Sequence, residues 1–163
     1  MRILLKIFVI SFFAMNTLAQ KPNVSTTKSI AFRLKPNEDL KQGLQHYIDQ
    51  NDISAACILT CVGSLTSVNI RYANQEKYEM LKGHFEIVSL VGVLSKNGSH
   101  IHISVSDSTG KTIGGHLGDN SHIYTTAEIV LGIMPHYDFV RETDPTFGYK
   151  ELMVRPRKSK KKN

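Results

Sequence analysis

The sequence predicts an α+β fold, a mainly antiparallel sheet with one principal helix packed on it. Short segments alternate apolar and polar residues, as half-buried strands do, and only one stretch has helical spacing. Strong turn signals at residues 96–99 and 107–110 separate consecutive segments and predict hairpins. Because one helix covers only one face of a sheet, the other face must meet water or another subunit. We therefore expect an oligomer.

Residues 29–35 form the first predicted strand. Residues 38–48 form the helix, with acids in its first turn and an apolar stripe of Leu40, Leu44, Tyr47 and Ile48. His46 lies off this stripe and is predicted to be a surface residue. The remaining strands are predicted at residues 53–62, 68–72, 78–82, 85–94, 100–106, 112–115, 123–134 and 151–154.

The first 19 residues have the layout of a secretory signal peptide. Arg2 and Lys6 precede an apolar run at residues 7–15, and Thr17-Leu18-Ala19 offers a cleavage site. The run is shorter than the roughly 20 residues that cross a bilayer, so an uncleaved anchor is the weaker alternative. We expect a secreted or periplasmic protein that starts at Gln20 and has no membrane segment after cleavage. A linker at residues 20–28 then leads to one domain at residues 29–154.

The formal net charge of +6 is unevenly distributed. Two of the 20 basic residues lie in the signal peptide and six lie in the tail, residues 155–163, which leaves twelve against all 14 acids. The folded body is therefore slightly acidic. The tail predicts a disordered extension whose commonest property is binding to polyanions. Its Arg-Pro-Arg-Lys run lacks the glycine of an AT-hook, which makes DNA the less favoured partner.

The two cysteines, Cys57 and Cys61, lie on one predicted strand. Four positions along a strand span about 13 Å, which exceeds the Cα separation of about 4.4–6.8 Å in a disulfide. We expect two small apolar residues on one strand face, with a C-x-x-x-C metal pair as the minor alternative.

The strongest signal for chemistry is the trio of His100, His102 and His116. Residues two apart on a strand project to the same face, and a hairpin at residues 107–110 returns His116 to a position beside the other two. Because Gly114 and Gly115 have no side chains, they would leave room for an ion beside His116. Three converging imidazoles with an open fourth position are typical of an exchangeable zinc site. The alternative is that these side chains cap strand ends and form only local hydrogen bonds.

Glu86 and Glu128 each interrupt an apolar strand. Either carboxylate is a candidate catalytic base or a partner for a metal ligand. Alternatively, each faces solvent or pairs across a subunit interface.

Several ordered blocks resemble the domain conserved between plants and prokaryotes, the PPC domain. They are Gly-His-Phe-Glu-Ile-Val-Ser-Leu-Val-Gly at residues 83–92, His-Ile-His-Ile-Ser-Val-Ser-Asp at 100–107, Gly-Gly-His-Leu at 114–117 and Thr-Thr-Ala-Glu-Ile-Val at 125–130. Residues 62–65 and 71–73 also match early strands of that family. The resemblance covers roughly residues 29–154.

The resemblance implies an α+β domain that assembles as a homotrimer. In plants the domain follows AT-hooks in nuclear DNA-binding proteins, but here His84 replaces an arginine of the partner-contact block and no AT-hook precedes the domain. Bacterial-type members keep His-x-His and Gly-Gly-His, which makes a metal pocket between subunits an expectation for this chain.

Three hypotheses follow. The first is an exported homotrimer that binds a divalent metal, with zinc favoured, through His100, His102 and His116. If it is an enzyme, metal-activated water attacks a small substrate with Glu86 or Glu128 as the base. The second is a DNA- or polyanion-binding protein that acts through its tail. The third is a trimeric scaffold with neither metal nor catalysis.

Overall fold

The structure, a computed structural model, describes residues 24–157. The predicted signal peptide and most of the tail lie outside the described residues. No helix within residues 24–157 is long and apolar enough to cross a membrane. The elements are β1 (Lys28–Leu34), α1 (Leu40–Gln50), β2 (Ala56–Arg71), β3 (Glu79–Ser95), β4 (Gly98–Ser106), β5 (Thr112–Leu117), β6 (Ile123–Ile133), β7 (Tyr137–Thr143) and β8 (Lys150–Pro156).

The main sheet has six strands in the order β1-β6-β2-β3-β4-β5, and β7 and β8 form a separate hairpin. Every strand pair in both sheets is antiparallel. The α+β prediction of a mainly antiparallel sheet with one principal helix is confirmed.

The end of β2 also pairs with β5, which closes strands β2 to β5 into a barrel-like loop. Ile70 lies opposite Leu117, and Arg71 lies opposite His116. The apolar side chains at this junction, Ile70 and Leu117, are buried. The closure brings the last residue of β2 beside the histidines of β4 and β5.

The helix begins two residues later than predicted. Asp39 is its N-cap, and its carboxylate accepts a hydrogen bond from the Gln42 amide at 3.0 Å. The acids predicted for the first turn therefore precede the helix instead. The apolar stripe is as expected, because Leu40, Leu44 and Ile48 are fully buried against the sheet. His46 is exposed, as predicted.

Two pairs of predicted strands are single long strands in the structure. Residues 53–62 and 68–72 merge into β2, and residues 78–82 and 85–94 merge into β3. Register shifts interrupt the pairing of β2, one of them between Ile58 and Thr60. Such irregularities insert an extra residue and reverse which side of the sheet the following residues face. Consequently, Cys61 is buried whereas Cys57 is only partly buried, and the prediction that both share one strand face is wrong. Both thiols are free.

Part of the face opposite the helix is apolar and exposed. Val62, Val88 and Val91 on β2 and β3 are 63%, 59% and 54% exposed in the single chain. The side chains of His100 and His102 belong to the same face of the sheet, because the intervening Ile101 and the following Ile103 are buried in the core.

The β7–β8 hairpin is the element that the sequence least predicts, since β7 has no counterpart among the predicted strands. A small second core of Ala55, Tyr137 and Phe139 docks it against the main sheet. The Phe139 amide donates to the Ser54 carbonyl at 2.9 Å. The Phe139 carbonyl accepts from Ser95 Oγ at 3.0 Å and from Asn97 Nδ2 at 2.8 Å.

The hairpin reaches two residues into the predicted tail. β8 continues to Pro156, and Arg155 forms an ion pair with Glu142. Arg157 lies 3.6 Å from the Asp52 carboxylate and 3.9 Å from that of Asp138. The first basic residues of the tail are therefore engaged by the fold.

Candidate metal centre

The histidine trio is assembled by one hairpin. His102 in β4 lies directly opposite His116 in β5, and His100 precedes His102 by two positions on the same strand. The turn between the strands is fixed by Asp107, whose carboxylate accepts from the amides of Thr109 at 2.8 Å and Lys111 at 3.1 Å. This turn determines the register and hence the meeting of the three side chains.

The ring nitrogens of the trio converge on one point. His116 Nδ1 lies 3.2 Å from His100 Nε2 and 3.2 Å from His102 Nε2. One nitrogen from each ring lies within 4.8 Å of the other two. Nitrogens bound at about 2.0–2.1 Å to a tetrahedral zinc are separated by about 3.3 Å, so the trio needs little movement to bind the ion.

The pKa values of two of these histidines favour the neutral form. Burial, together with the Arg71 guanidinium and the other two histidines, lowers the pKa of His116 to about 4. Burial is also the main cause of the lowered pKa of His100, with His102, Arg141 and Arg71 contributing. Neutral imidazoles keep the lone pairs that a metal ligand needs. The donor set therefore fits zinc, which the trio would hold through His100 Nε2, His102 Nε2 and His116 Nδ1.

The glycine pair beside His116 has a different role from the predicted one. A β-carbon on Gly115 would lie 2.5 Å from the Arg71 carbonyl oxygen, and one on Gly114 would lie 2.7 Å from the Ile103 carbonyl oxygen. The glycines therefore allow β5 to approach β2 and β4 closely, instead of clearing space for an ion.

The structure does not bring Glu86 or Glu128 to the trio within one chain. Glu86 lies opposite Ser106, four residues along β4 from His102, or about 13 Å at the rise of a strand. Glu128 lies on β6, with β2 and β3 between it and β4. Among residues 24–157, the metal-capable cluster consists of the three histidines, without a carboxylate.

A cleft of about 970 Å³ opens beside the trio. His100, His116 and Arg71 line one side, and the β7–β8 hairpin supplies Arg141 and Tyr149 on the other. Sequence reasoning missed both arginines. Arg71 follows an alternating stretch of apolar and polar residues and resembles an ordinary strand end, and Arg141 lies in the strand that was not predicted. Tyr137, Phe139 and Arg141 occupy every second position, and this spacing was the sequence signal that could have predicted β7.

The fold and the site define a class of protein: a small α+β domain with a three-histidine cluster on the sheet face opposite the helix. The sequence model of the Plants and Prokaryotes Conserved (PCC) domain, written PPC above, matches residues 22–135. The chain belongs to this family, as its sequence blocks predicted.

Curated relatives are longer proteins. The chain is 43% identical over 129 residues to a protein named bifunctional protein GlmU from a Synechococcus strain. The match covers 79% of this chain but only 20% of that protein, so the chain spans about a fifth of the length of this relative.

Solved structures share the fold over most of the chain. A hypothetical protein from Salmonella has a TM-score of 0.81 and 41% identity, with 83% of this chain and 98% of that chain covered. A protein from Archaeoglobus fulgidus described as metal-containing has a TM-score of 0.68 and 25% identity, with 81% of this chain and 99% of that chain covered. A Bacteroides thetaiotaomicron structure described as a proposed DNA-binding protein has a TM-score of 0.68 and 18% identity, covering 80% and 98%, and this likeness shows the fold alone.

Proposed function

We propose that this protein is an exported, homotrimeric PPC-domain protein that binds a divalent metal, with zinc favoured, through His100, His102 and His116. The observation that carries the proposal is the convergence of three imidazole nitrogens, two of them 3.2 Å from His116 Nδ1. The metal-containing protein from Archaeoglobus fulgidus supports a metal in this fold.

Zinc is favoured by the chemistry of the donors. Neutral imidazoles suit zinc, whereas magnesium and calcium prefer oxygen ligands. The trio supplies three ligands and leaves a fourth position for water or a substrate, which is the pattern of a catalytic or ligand-exchanging site. A bound zinc ion supplies a Lewis acid and a water of lowered pKa at that position.

The homotrimer is supported by the exposed apolar face. His100 and His102 share this face of the sheet with Val91, which lies opposite His102 in the β3–β4 ladder. Subunits that bury the face would place the trio at or beside their boundary. Glu86 and Glu128 would then act as a base only from a neighbouring subunit, since neither reaches the trio of its own chain.

The alternative is binding to DNA or another polyanion through residues 155–163. Six basic residues in this segment support it. The alternative is weakened by the ion pairs that already engage Arg155 and Arg157. Deletion of residues 158–163 would abolish a salt-dependent affinity for duplex DNA if the tail were the contact.

Metal analysis of the purified protein tests the metal proposal. We expect about one zinc ion per chain after dialysis against zinc and then against metal-free buffer, as the single histidine cluster predicts. The triple variant His100→Ala/His102→Ala/His116→Ala should retain none, while His46→Ala, at an exposed helix position, should retain the full amount. Equal zinc contents in the two variants would show that the metal binds elsewhere, and absence of zinc from the wild type would refute the proposal.

A further inference from the structure

The cleft beside the trio has one wall that the family match does not include. The match ends at residue 135, whereas β7 begins at Tyr137. Arg141 lies two residues after Phe139 on β7 and therefore shares its strand face, which is the face that docks on the main sheet. The docking of Phe139 on Ser54, Ser95 and Asn97 fixes Arg141 as part of the cleft wall.

The charged side chains around the cleft carry a small positive net charge. Arg71, Arg141 and Lys150 line it, against Glu76 and Glu151. None of the three cationic side chains forms an ion pair with a carboxylate within residues 24–157, where the ion pairs involve other arginines and lysines. Two of the residues that line the cleft, Arg71 and Arg141, are therefore half-buried arginines without an ion-pair partner among residues 24–157.

Arg71 is held in place by neutral groups. Its Nη1 donates to the Gln75 carbonyl at 3.0 Å, and its guanidinium carbon lies 5.9 Å from the centroid of the Tyr78 ring. These contacts orient the side chain without neutralising its charge, and its other N–H groups form no hydrogen bond within residues 24–157. A planar guanidinium with free N–H donors is suited to the two oxygens of a carboxylate or phosphate.

We propose that the cleft binds a small anionic molecule whose carboxylate or phosphate group lies between Arg71 and Arg141. This inference rests on the proposed function for the metal at the edge of the cleft. It adds to that function the chemical class of the ligand. The size of the cleft fits a small organic molecule, since ligand sites commonly occupy about 300–1,000 Å³. A ligand anchored by the arginines would lie beside His100 and His116, which line the same cleft.

Calorimetric titration of the full chain with inorganic phosphate, and separately with succinate, tests the proposal. The titrations use the metal-free and the zinc-loaded protein at an ionic strength of about 0.1 M, where the Debye length is about 10 Å. We expect saturable binding of at least one of the two anions, and comparison of the two identifies the preferred group. Arg71→Gln and Arg141→Gln each remove one side chain that can form charge-assisted hydrogen bonds to the anion. Each variant should therefore bind the anion about tenfold more weakly or worse.

The matched control is Arg33→Gln, which removes an exposed arginine of β1, at the opposite edge of the sheet. It should change the affinity by less than about twofold, since exposed charges beyond a Debye length of about 10 Å are largely screened. If the loss of the Gln75 contact destabilises Arg71→Gln, Arg141→Gln alone decides the test.

The two proposals fail separately. Arginine-dependent anion binding without zinc binding would refute the metal and leave the cleft ligand in place. Zinc binding by the trio, with no anion binding in either form of the protein, would overturn the cleft ligand alone. Anion binding that Arg33→Gln weakens as much as Arg141→Gln would also overturn it, because the attraction would then be to the overall charge.

Discussion

Arg71 and His116 lie opposite each other where β2 meets β5, so the strand pairing itself places an arginine beside a metal-ligand candidate. Gly115 permits this approach, because a β-carbon there would lie 2.5 Å from the Arg71 carbonyl oxygen. Ile70 Cγ2 would lie 2.8 Å from the same β-carbon. The geometry of the site thus depends on how closely two backbones approach.

Gly115→Ala should therefore weaken both the fold and the site. The added methyl group must displace backbone at β2, and overpacking of this kind costs about 1–3 kcal/mol in the free energy of unfolding. Because His116 is the next residue, we also expect a lower affinity for zinc. Urea denaturation at one protein concentration and zinc titration measure the two effects. Thr112→Ala, at the exposed start of β5, is the control, and a Gly115→Ala protein with unchanged stability and zinc affinity would contradict the role of the glycine.

The low pKa of His116 predicts how the stability of the metal-free protein depends on pH. The pKa is about 4 in the folded chain and about 6.5 when the imidazole is unperturbed. Between these values the unfolded chain binds a proton at this residue that the folded chain does not. The free energy of unfolding should therefore fall as the pH decreases from 6.5 to 4, and the contribution of His116 should be constant above that window.

His116→Gln isolates this contribution from that of the carboxyl groups. The variant should lose stability less steeply than the wild type over pH 6.5–4, since glutamine does not titrate. Thermal melts in metal-free buffer at several pH values measure the slopes, with the exposed His46→Gln as the control. A slope identical to that of the wild type would show that His116 titrates normally in the folded chain.

The sequence predicted the features that depend on short-range pattern. Leu40, Leu44 and Ile48 mark the helix because their spacing matches its period, and they are buried as expected. The approach of His100, His102 and His116 was predictable because the turn at Asp107 fixes a hairpin register over a few residues. Local chemistry sufficed in both cases.

Features that depend on tertiary contacts were not predictable from pattern. The register shift after Ile58 reverses the side of the sheet that the following residues face, and no residue type at that point predicts the shift. β7 was missed because its strand is stabilised by docking, through Tyr137 and Phe139, in a small second core with Ala55, which is distant in the sequence. The pairing of Arg71 with His116 likewise requires closure of four strands, which is a non-local event.

The apolar face of β2 and β3 predicts how subunits associate. Val62 and Val88 lie on neighbouring strands, and both are more than half exposed in the single chain. If the proposed homotrimer buries this face, Val88→Lys would place an unpaired charge in the interface, at a cost of several kcal/mol per buried ion. We therefore expect a wild-type mass of three chains by size-exclusion chromatography with light scattering, and a smaller mass for Val88→Lys. Phe147→Lys introduces the same charge at a position that is 78% exposed in the β7–β8 turn and should remain trimeric. A trimeric Val88→Lys protein would place the interface elsewhere, whereas a monomeric wild type would refute the trimer.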